Sequence, residues 1–501
     1  MNLYQTYVAK MHKIADVNHA IAVLGWDQEV HLPEKGAHHR AQQIATLAGM
    51  VHEMAVSAEL EDLLGKLSED ESLTFEQQRN IAETKKHIDR RKKLPVNFVV
   101  QLTKAVSATY QAWMKARSAN HGEGDFTLFA PQLKQLVDLK REETTCIGYA
   151  DHPYDALIDE FEPGEKTADL TVLFADVRRQ LVDFVKEIHH QPQVEDHWMF
   201  EHYDKDRQWH FGLELLKQMG YDFKAGRQDI SAHPFTTSFS MHDVRVTTRI
   251  NEHDLHEMIW GCLHEGGHAL YEQGLLPDNY GLPSGSYVSL GIHESQSRLW
   301  ENNVGRSLPY WKANYAQLQA QFPERLANVP LEAFYKSMNK VNPSLIRTNA
   351  DELTYHFHIL VRFEIEKALI EGSVEVNDLR ELWNQKYKEY LDVTVPNDRK
   401  GVLQDIHWSH GSFGYFATYS LGSFYAAQFF HQASKDIPYL QTLIEHGNLQ
   451  PLLQWLRTNI HQYGQLYPAE ELCKRITGEK LNFKYFMEYA RQKYSFIYNL
   501  R

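Results

Sequence analysis

Along most of the chain the apolar positions recur every three or four residues. In "HHRAQQIATLAGMVHEMAV", Ile44, Leu47, Val51 and Met54 fall on one helical face, and similar spacing runs through "FVVQLTKAVSATYQAWMKA", "LTVLFADVRRQLVDFVKEIHH" and "LRELWNQKYKEYL". The pattern predicts a mainly α protein. Strand-like alternation is confined mainly to "FTTSFSMHDVRVTTRI" at 235–250, which predicts a small β-sheet. Breakers such as Pro95, Pro163-Gly164, Pro277, Pro283 and Pro396 punctuate the chain without a long Ser/Gly linker or a fixed-period repeat. With 501 residues, 43% of them hydrophobic, the chain can bury a large core, either as one domain or as two lobes around a cleft.

Directly after the strand-like stretch comes "CLHEGGHALYEQG" at 262–274. Asn251 is a candidate cap and Gly274 with Pro277 a candidate stop, so the helix is expected from about 251 to 273. Leu255, Ile259, Cys262, Gly266 and Leu270 make its apolar stripe, while His264 and His268 stand one turn apart on another face. Two imidazoles so placed can hold one zinc ion, and Glu265 can act as the base toward a metal-bound water. The glycines Gly266 and Gly267 each cost roughly 1 kcal/mol in a helix interior. That cost makes sense if a crossing strand or a substrate packs closely there.

By itself this motif is weak in a chain with 28 histidines, and a third ligand decides it. A third histidine six residues on is excluded, because Tyr271 and Gly274 occupy the relevant positions. A carboxylate from a second helix is the other solution. "SLGIHESQSRLWENN" at 289–303 offers Glu294, with Ser289 as the cap; Glu272 and Glu301 lie too far along their helices to share the ion. Glu294 also reads as a first-turn carboxylate favoured by the helix dipole alone.

Composition narrows the partners. A formal net charge of −14 repels phosphate backbones and anionic lipid, leaving peptides and small molecules and arguing against nucleic acid and membrane. Three widely spaced cysteines argue for a reducing compartment, and the first twenty residues contain no apolar run of a secretion signal, so a cytoplasmic location is expected. The uncharged run at 411–430 approaches membrane-spanning length but carries Gly, Ser, Thr and Gln, and reads as buried.

Six blocks in order give the chain a resemblance to the carboxypeptidase Taq family of metal-dependent carboxypeptidases: "HPF" at 233–235, "DVRVT" at 243–247, "HEGGH" at 264–268, "HESQS" at 293–297, "IRTNAD" at 346–351 and "GVLQDIHW" at 401–408. The amino-terminal "LGWDQEVHLPEKGAHHRAQQ" is similar too, while Ala417 stands where the family pattern has proline. The resemblance covers nearly the whole chain. It implies a helical, bowl-shaped fold with a deep central groove over 1–501, akin to the helical zinc peptidases that include angiotensin-converting enzyme. It further implies release of single carboxy-terminal residues with broad specificity, zinc or sometimes cobalt, and a homodimer. On the same resemblance His264, His268 and Glu294 are the ligands and Glu265 the general base.

The remaining roles follow from what the reaction needs. A tetrahedral oxyanion requires donors beyond the metal, for which His407 and Tyr415 or Tyr419 are candidates. A free substrate carboxylate is best held by a planar guanidinium, from Arg245 or Arg347, although Arg347 could instead pair with Asp351 four residues on. Asp405 could orient a ligand histidine, and His233 and His293 are expected to shape the pocket. An endo-acting oligopeptidase on the same fold is the alternative reading, and it would need no carboxylate clamp.

Overall fold

The computed structural model describes residues 2–500. The four stretches with helical spacing are helices, at Ala37–Ala55, Val96–Gly122, Thr167–His189 and Leu379–Leu391. The chain opens on α1 (Leu3–Val30), whose Asn2 cap accepts from the Gln5 amide while the Gln5 side chain accepts from the Asn2 amide. This reciprocal box satisfies two amides that the first turn would leave unpaired.

Contacts group the described residues into two compact units. The first comprises 2–89, Val194–Met338 and Gly422–Asn482; the second comprises Arg90–Gln193, Asn339–Leu421 and 483–500. Near its amino terminus the first unit buries Tyr7 with Leu60, Leu63, Leu64 and Leu67 from one face of Ala58–Ser68, and with Ile81 and Ile88. Each such leucine contributes about 1.5–3 kcal/mol through its burial.

The sheet has three strands: β1 (Gly226–Ile230), β2 (Thr236–Ser240) and β3 (Asp243–Thr248). Strands β2 and β3 are the alternating stretch, paired antiparallel with an irregularity between Ser238 and Ser240. Strand β1, "GRQDI", lacks an apolar alternation and is held by parallel pairing to β3, so the order is β1-β3-β2 with β2 at one edge.

Helix α2 (Leu255–Glu272) is shorter at its start than expected. Its cap is Asp254, which accepts from the His256 amide, whereas Asn251 accepts from the His253 amide and so closes a turn of its own. Gly274 is not in a left-handed conformation; its bare Cα makes room for the His461 ring, 2.3 Å from where a Cβ would stand.

Helix α3 (Leu290–Arg298) is capped by Ser289, as expected, and runs on into a π-helical segment, Leu299–Gly305. In the second unit, α4 (Tyr355–Glu371) is buried on most of its circumference. Helix α5 (Ala417–Asp436) begins at Ala417, and a first helical position accommodates proline as readily as alanine. Nearly all of 413–430 is buried, as the mixed composition of that run predicts, and among the described residues no helix is long and apolar enough to cross a membrane.

Candidate metal centre and active site

Helices α2 and α3 pack backbone to backbone. A Cβ on Gly267 would lie 2.6 Å from the Gln296 carbonyl oxygen and 2.7 Å from the Ser297 Cα, and one on Gly266 would strike Leu216 and Met219. The paired glycines therefore serve two neighbouring helices, α3 and Lys205–Met219, not a strand or a substrate. This approach carries Glu294 to the histidines. Its Oε2 stands 3.6 Å from Nε2 of His264 and 3.4 Å from Nε2 of His268, and a ligand atom from each of the three residues lies within 4.8 Å of the others. Donors placed 2.0–2.1 Å from a tetrahedral ion are about 3.3 Å apart, so two imidazoles and a carboxylate at these separations suit a divalent metal.

Glu294 is not a first-turn carboxylate. It lies beyond the first turn, is buried, and its Oε1 accepts from Nε of Arg298 at 2.7 Å while Oε2 accepts from the Ser297 hydroxyl at 3.0 Å. Burial alone would raise its pKa, but Arg298, His264 and His268 outweigh that and hold it well below the usual carboxylate range.

The other ring nitrogen of His264, Nδ1, faces Oε2 of Glu301 at 2.9 Å. A carboxylate can only accept, so Nδ1 carries the hydrogen and the Nε2 lone pair is free for a metal. Glu301 in turn accepts from Arg298 at 3.2 Å and Arg306 at 3.1 Å. Orientation of a ligand histidine thus falls to Glu301, not to Asp405. His264 is raised despite its burial, because Glu294 and Glu301 together make a negative field that attracts a cation. Burial, helped by His293, lowers His268 to about 3, which keeps that imidazole neutral as a ligand must be. His293 stacks on His268 with ring centroids 4.4 Å apart, and its Nε2 is 2.9 Å from Glu272.

Glu265 is buried, and burial raises its pKa against the opposing pull of His264 and Thr236. The Thr236 hydroxyl lies 2.7 Å from its Oε2. Of the other candidates in this unit, Arg245 is engaged by Asp243 through two hydrogen bonds of 2.9 Å and lies over Trp26 at 4.3 Å and Phe239 at 4.9 Å. It therefore ties β3 to the end of α1. The His233 side chain is exposed.

The second unit brings Arg347, His407, Tyr415 and Tyr419 together. Arg347 lies 4.9 Å from the Tyr419 ring, the Tyr419 hydroxyl is 3.2 Å from Nε2 of His407, and the rings of Tyr415 and Tyr419 are 5.2 Å apart. Arg347 does not pair with Asp351, which instead accepts from the Asn342, Leu353 and Thr354 amides. Its partner is Asp405, at 3.0 Å, whose second oxygen takes the fully buried Arg362 at 2.7 Å. Burial would raise Asp405, but the two guanidinium groups hold it far below the ordinary carboxylate range. Burial and the nearby Arg347 lower His407 to about 3, so it is a neutral ring.

A helical framework, a His-Glu-x-x-His helix and a glutamate from a second helix together define a metallopeptidase. The family model for carboxypeptidase Taq (M32) metallopeptidases matches residues 6–494, and the chain belongs to that family. It is 37% identical to carboxypeptidase 1 of Bacillus subtilis (strain 168) over 98% of this chain and 97% of that protein. With thermostable carboxypeptidase 1 of Thermus thermophilus the identity is 38% over 99% of both. The structure matches that of the M32 carboxypeptidase from Deinococcus radiodurans R1 with a TM-score of 0.97, at 36% identity and full coverage of both chains. The chain is a metallocarboxypeptidase by family, its substrates are peptides, and the family carries a metal.

Arg298, Arg306, Arg362 and Thr236, which contact the candidate residues, were not singled out in the sequence, and Glu301 was weighed there only as a ligand. The faint signal for Glu301 was its position seven residues after Glu294, on the same helical face.

Proposed function

We propose that this chain removes single residues from the free carboxyl end of peptides, with broad specificity, and that His264, His268 and Glu294 hold zinc, for which cobalt can substitute. The observation that carries this reading is the convergence of those three side chains beside the buried Glu265. Two nitrogens and one carboxylate oxygen are the donor set of catalytic zinc sites, which keep a position open for water. Held by these three residues, zinc would supply a water of lowered pKa, about 7, and a Lewis acid for the scissile carbonyl.

Glu265 takes the proton of the attacking water and later delivers it to the leaving amine, a transfer that needs a carboxyl whose affinity for protons is raised by burial. His407, Tyr415 and Tyr419 stabilise the oxyanion, supported by their grouping and by the neutral state of His407. Both candidates for the carboxylate clamp are ion-paired, Arg347 with Asp405 and Arg245 with Asp243, and Arg347 is favoured because it stands with those rings while Arg245 lies over Trp26. His233 and His293 contribute to the walls of the pocket. A homodimer in the cytoplasm completes the proposal, and three free cysteines fit a reducing compartment.

The experiment is time-resolved mass spectrometry of one peptide and its carboxy-amidated twin, with the purified chain plus zinc, then cobalt, and a Glu265→Gln control. Stepwise loss of single residues from the free end only, abolished in the control, is the expected result. Internal cuts in both peptides would instead establish an endopeptidase.

A further inference from the structure

From the contacts of Glu265 we infer that Thr236 is a positioning residue for the general base, an inference that rests on the role proposed for Glu265. A glutamate side chain has three rotatable bonds, and nothing in the His-Glu-x-x-His pattern itself fixes where the carboxylate ends up. The Thr236 hydroxyl stands 2.7 Å from Oε2 of Glu265 and 3.0 Å from the backbone oxygen of the same residue. The hydroxyl has one hydrogen to give, and of these two acceptors the carboxylate Oε2 is the nearer, so the contact holds the end of the side chain in one rotamer.

Thr236 can do this because of where the sheet holds it. It is the first residue of the edge strand β2, paired with Val246 of β3. Strand β3 lies along α2: a Cβ on Gly261 would meet the Thr248 hydroxyl oxygen at 3.5 Å and Cγ of Pro234 at 3.7 Å. The hydroxyl is thus presented by a hydrogen-bonded strand set against the helix that carries the base, so its position does not depend on a loop. A threonine in an edge strand is ordinarily explained by β propensity and a solvated hydroxyl. Here the side chain is half-buried and its oxygen is at hydrogen-bond distance from a buried carboxylate, which propensity does not require.

The test measures kcat and KM on a free-carboxyl peptide for the full-length, zinc-loaded chain and for Thr236→Val, Thr236→Ala, Thr236→Ser and Glu265→Gln, together with bound zinc and melting temperature. Loss of a hydrogen bond to a charged group predicts a fall in kcat of about 10- to 100-fold in the valine and alanine variants, with KM changed less than about threefold. Serine should restore kcat to within about threefold of the parent, because it keeps the hydroxyl. Zinc content should be the same in all four. The alanine variant decides the matter if the valine variant does not fold. Parental kcat in the hydroxyl-free variants beside an inactive Glu265→Gln would overturn this inference and leave the base intact, and so would a serine variant as slow as the valine one. If Glu265→Gln itself keeps parental kcat, the general-base reading falls first and this inference with it.

Discussion

Nδ1 of His264 lies 2.9 Å from Oε2 of Glu301, so both nitrogens of that ring are used, one toward Glu294 and one toward a carboxylate that two arginines hold in place. Replacing Glu301 with glutamine removes a charge from this arrangement and leaves Arg298 and Arg306 without their full counter-charge. Zinc affinity, measured by competition with a chromophoric chelator, should fall by about 10- to 100-fold. An unchanged affinity would mean that Glu301 has no part in orienting the ligand.

Gly422 of α5 touches Glu294, the proposed carboxylate ligand. A Cβ there would stand 2.4 Å from Cγ and 2.6 Å from Cβ of Glu294. Gly422→Ala should therefore push Glu294 out of register, lowering zinc affinity at least about tenfold and destabilising the chain by about 1–3 kcal/mol through overpacking. The zinc titration and the thermal melt are read together, and a variant with parental values in both would show that the helices give way without cost.

The two arginine candidates separate in a simple comparison. Arg347→Gln should reduce kcat/KM on free-carboxyl peptides by about 100-fold, as expected for loss of a charged, bidentate partner. Arg245→Gln should stay within a few-fold of the parent, with its effect appearing as a lower melting temperature because the stack on Trp26 is lost. The reverse ranking would move the clamp to β3.

In the second unit, Glu366 accepts from Trp408 Nε1 and the Gly414 amide, each at 2.8 Å, and from the Tyr154 hydroxyl. Burial nevertheless raises it to about 7. A carboxyl raised in the folded state binds more protons there than when unfolded. Its contribution to stability is therefore fully present below the ordinary value near 4.5 and is lost as pH rises through about 7. A shift of this size corresponds to roughly 3 kcal/mol. Glutamine keeps the acceptor oxygen and does not ionise, so denaturant midpoints of Glu366→Gln relative to the parent should shift in favour of the variant between pH 5 and pH 8. A constant difference across that range would show that Glu366 titrates normally.

Much of the framework was legible in the sequence because α2 and the helix-forming stretches carry their own periodicity. Strand β1 was not, since its five residues have no alternation and depend on β3 as a parallel partner. The pairing of Arg347 with Asp405 rather than Asp351 was equally hidden. The nearer aspartate is consumed by the amides of its own turn, and the productive one lies 58 residues away. At the candidate metal centre, spacing offered His264 and His268 and left Glu294 open, and it set Glu301 too far along the helix to share an ion with them, since seven residues rise about 10 Å. Spacing could not show that an imidazole between the two carboxylates would bridge that gap.

The π-helical winding at Leu299–Gly305 gives this gap a further meaning. A π turn holds one more residue than an α turn, so removing a single residue there would let the backbone relax into an ordinary helix. A deletion at Leu299 or Trp300, ahead of Glu301, would place Glu301 six instead of seven residues after Glu294 and turn it about a quarter-turn away from His264. The stretch from Glu294 to Glu301 is thus constrained in its count of residues as well as in their identity. Insertions and deletions within it should be purged more strictly than most of the substitutions that leave its length alone.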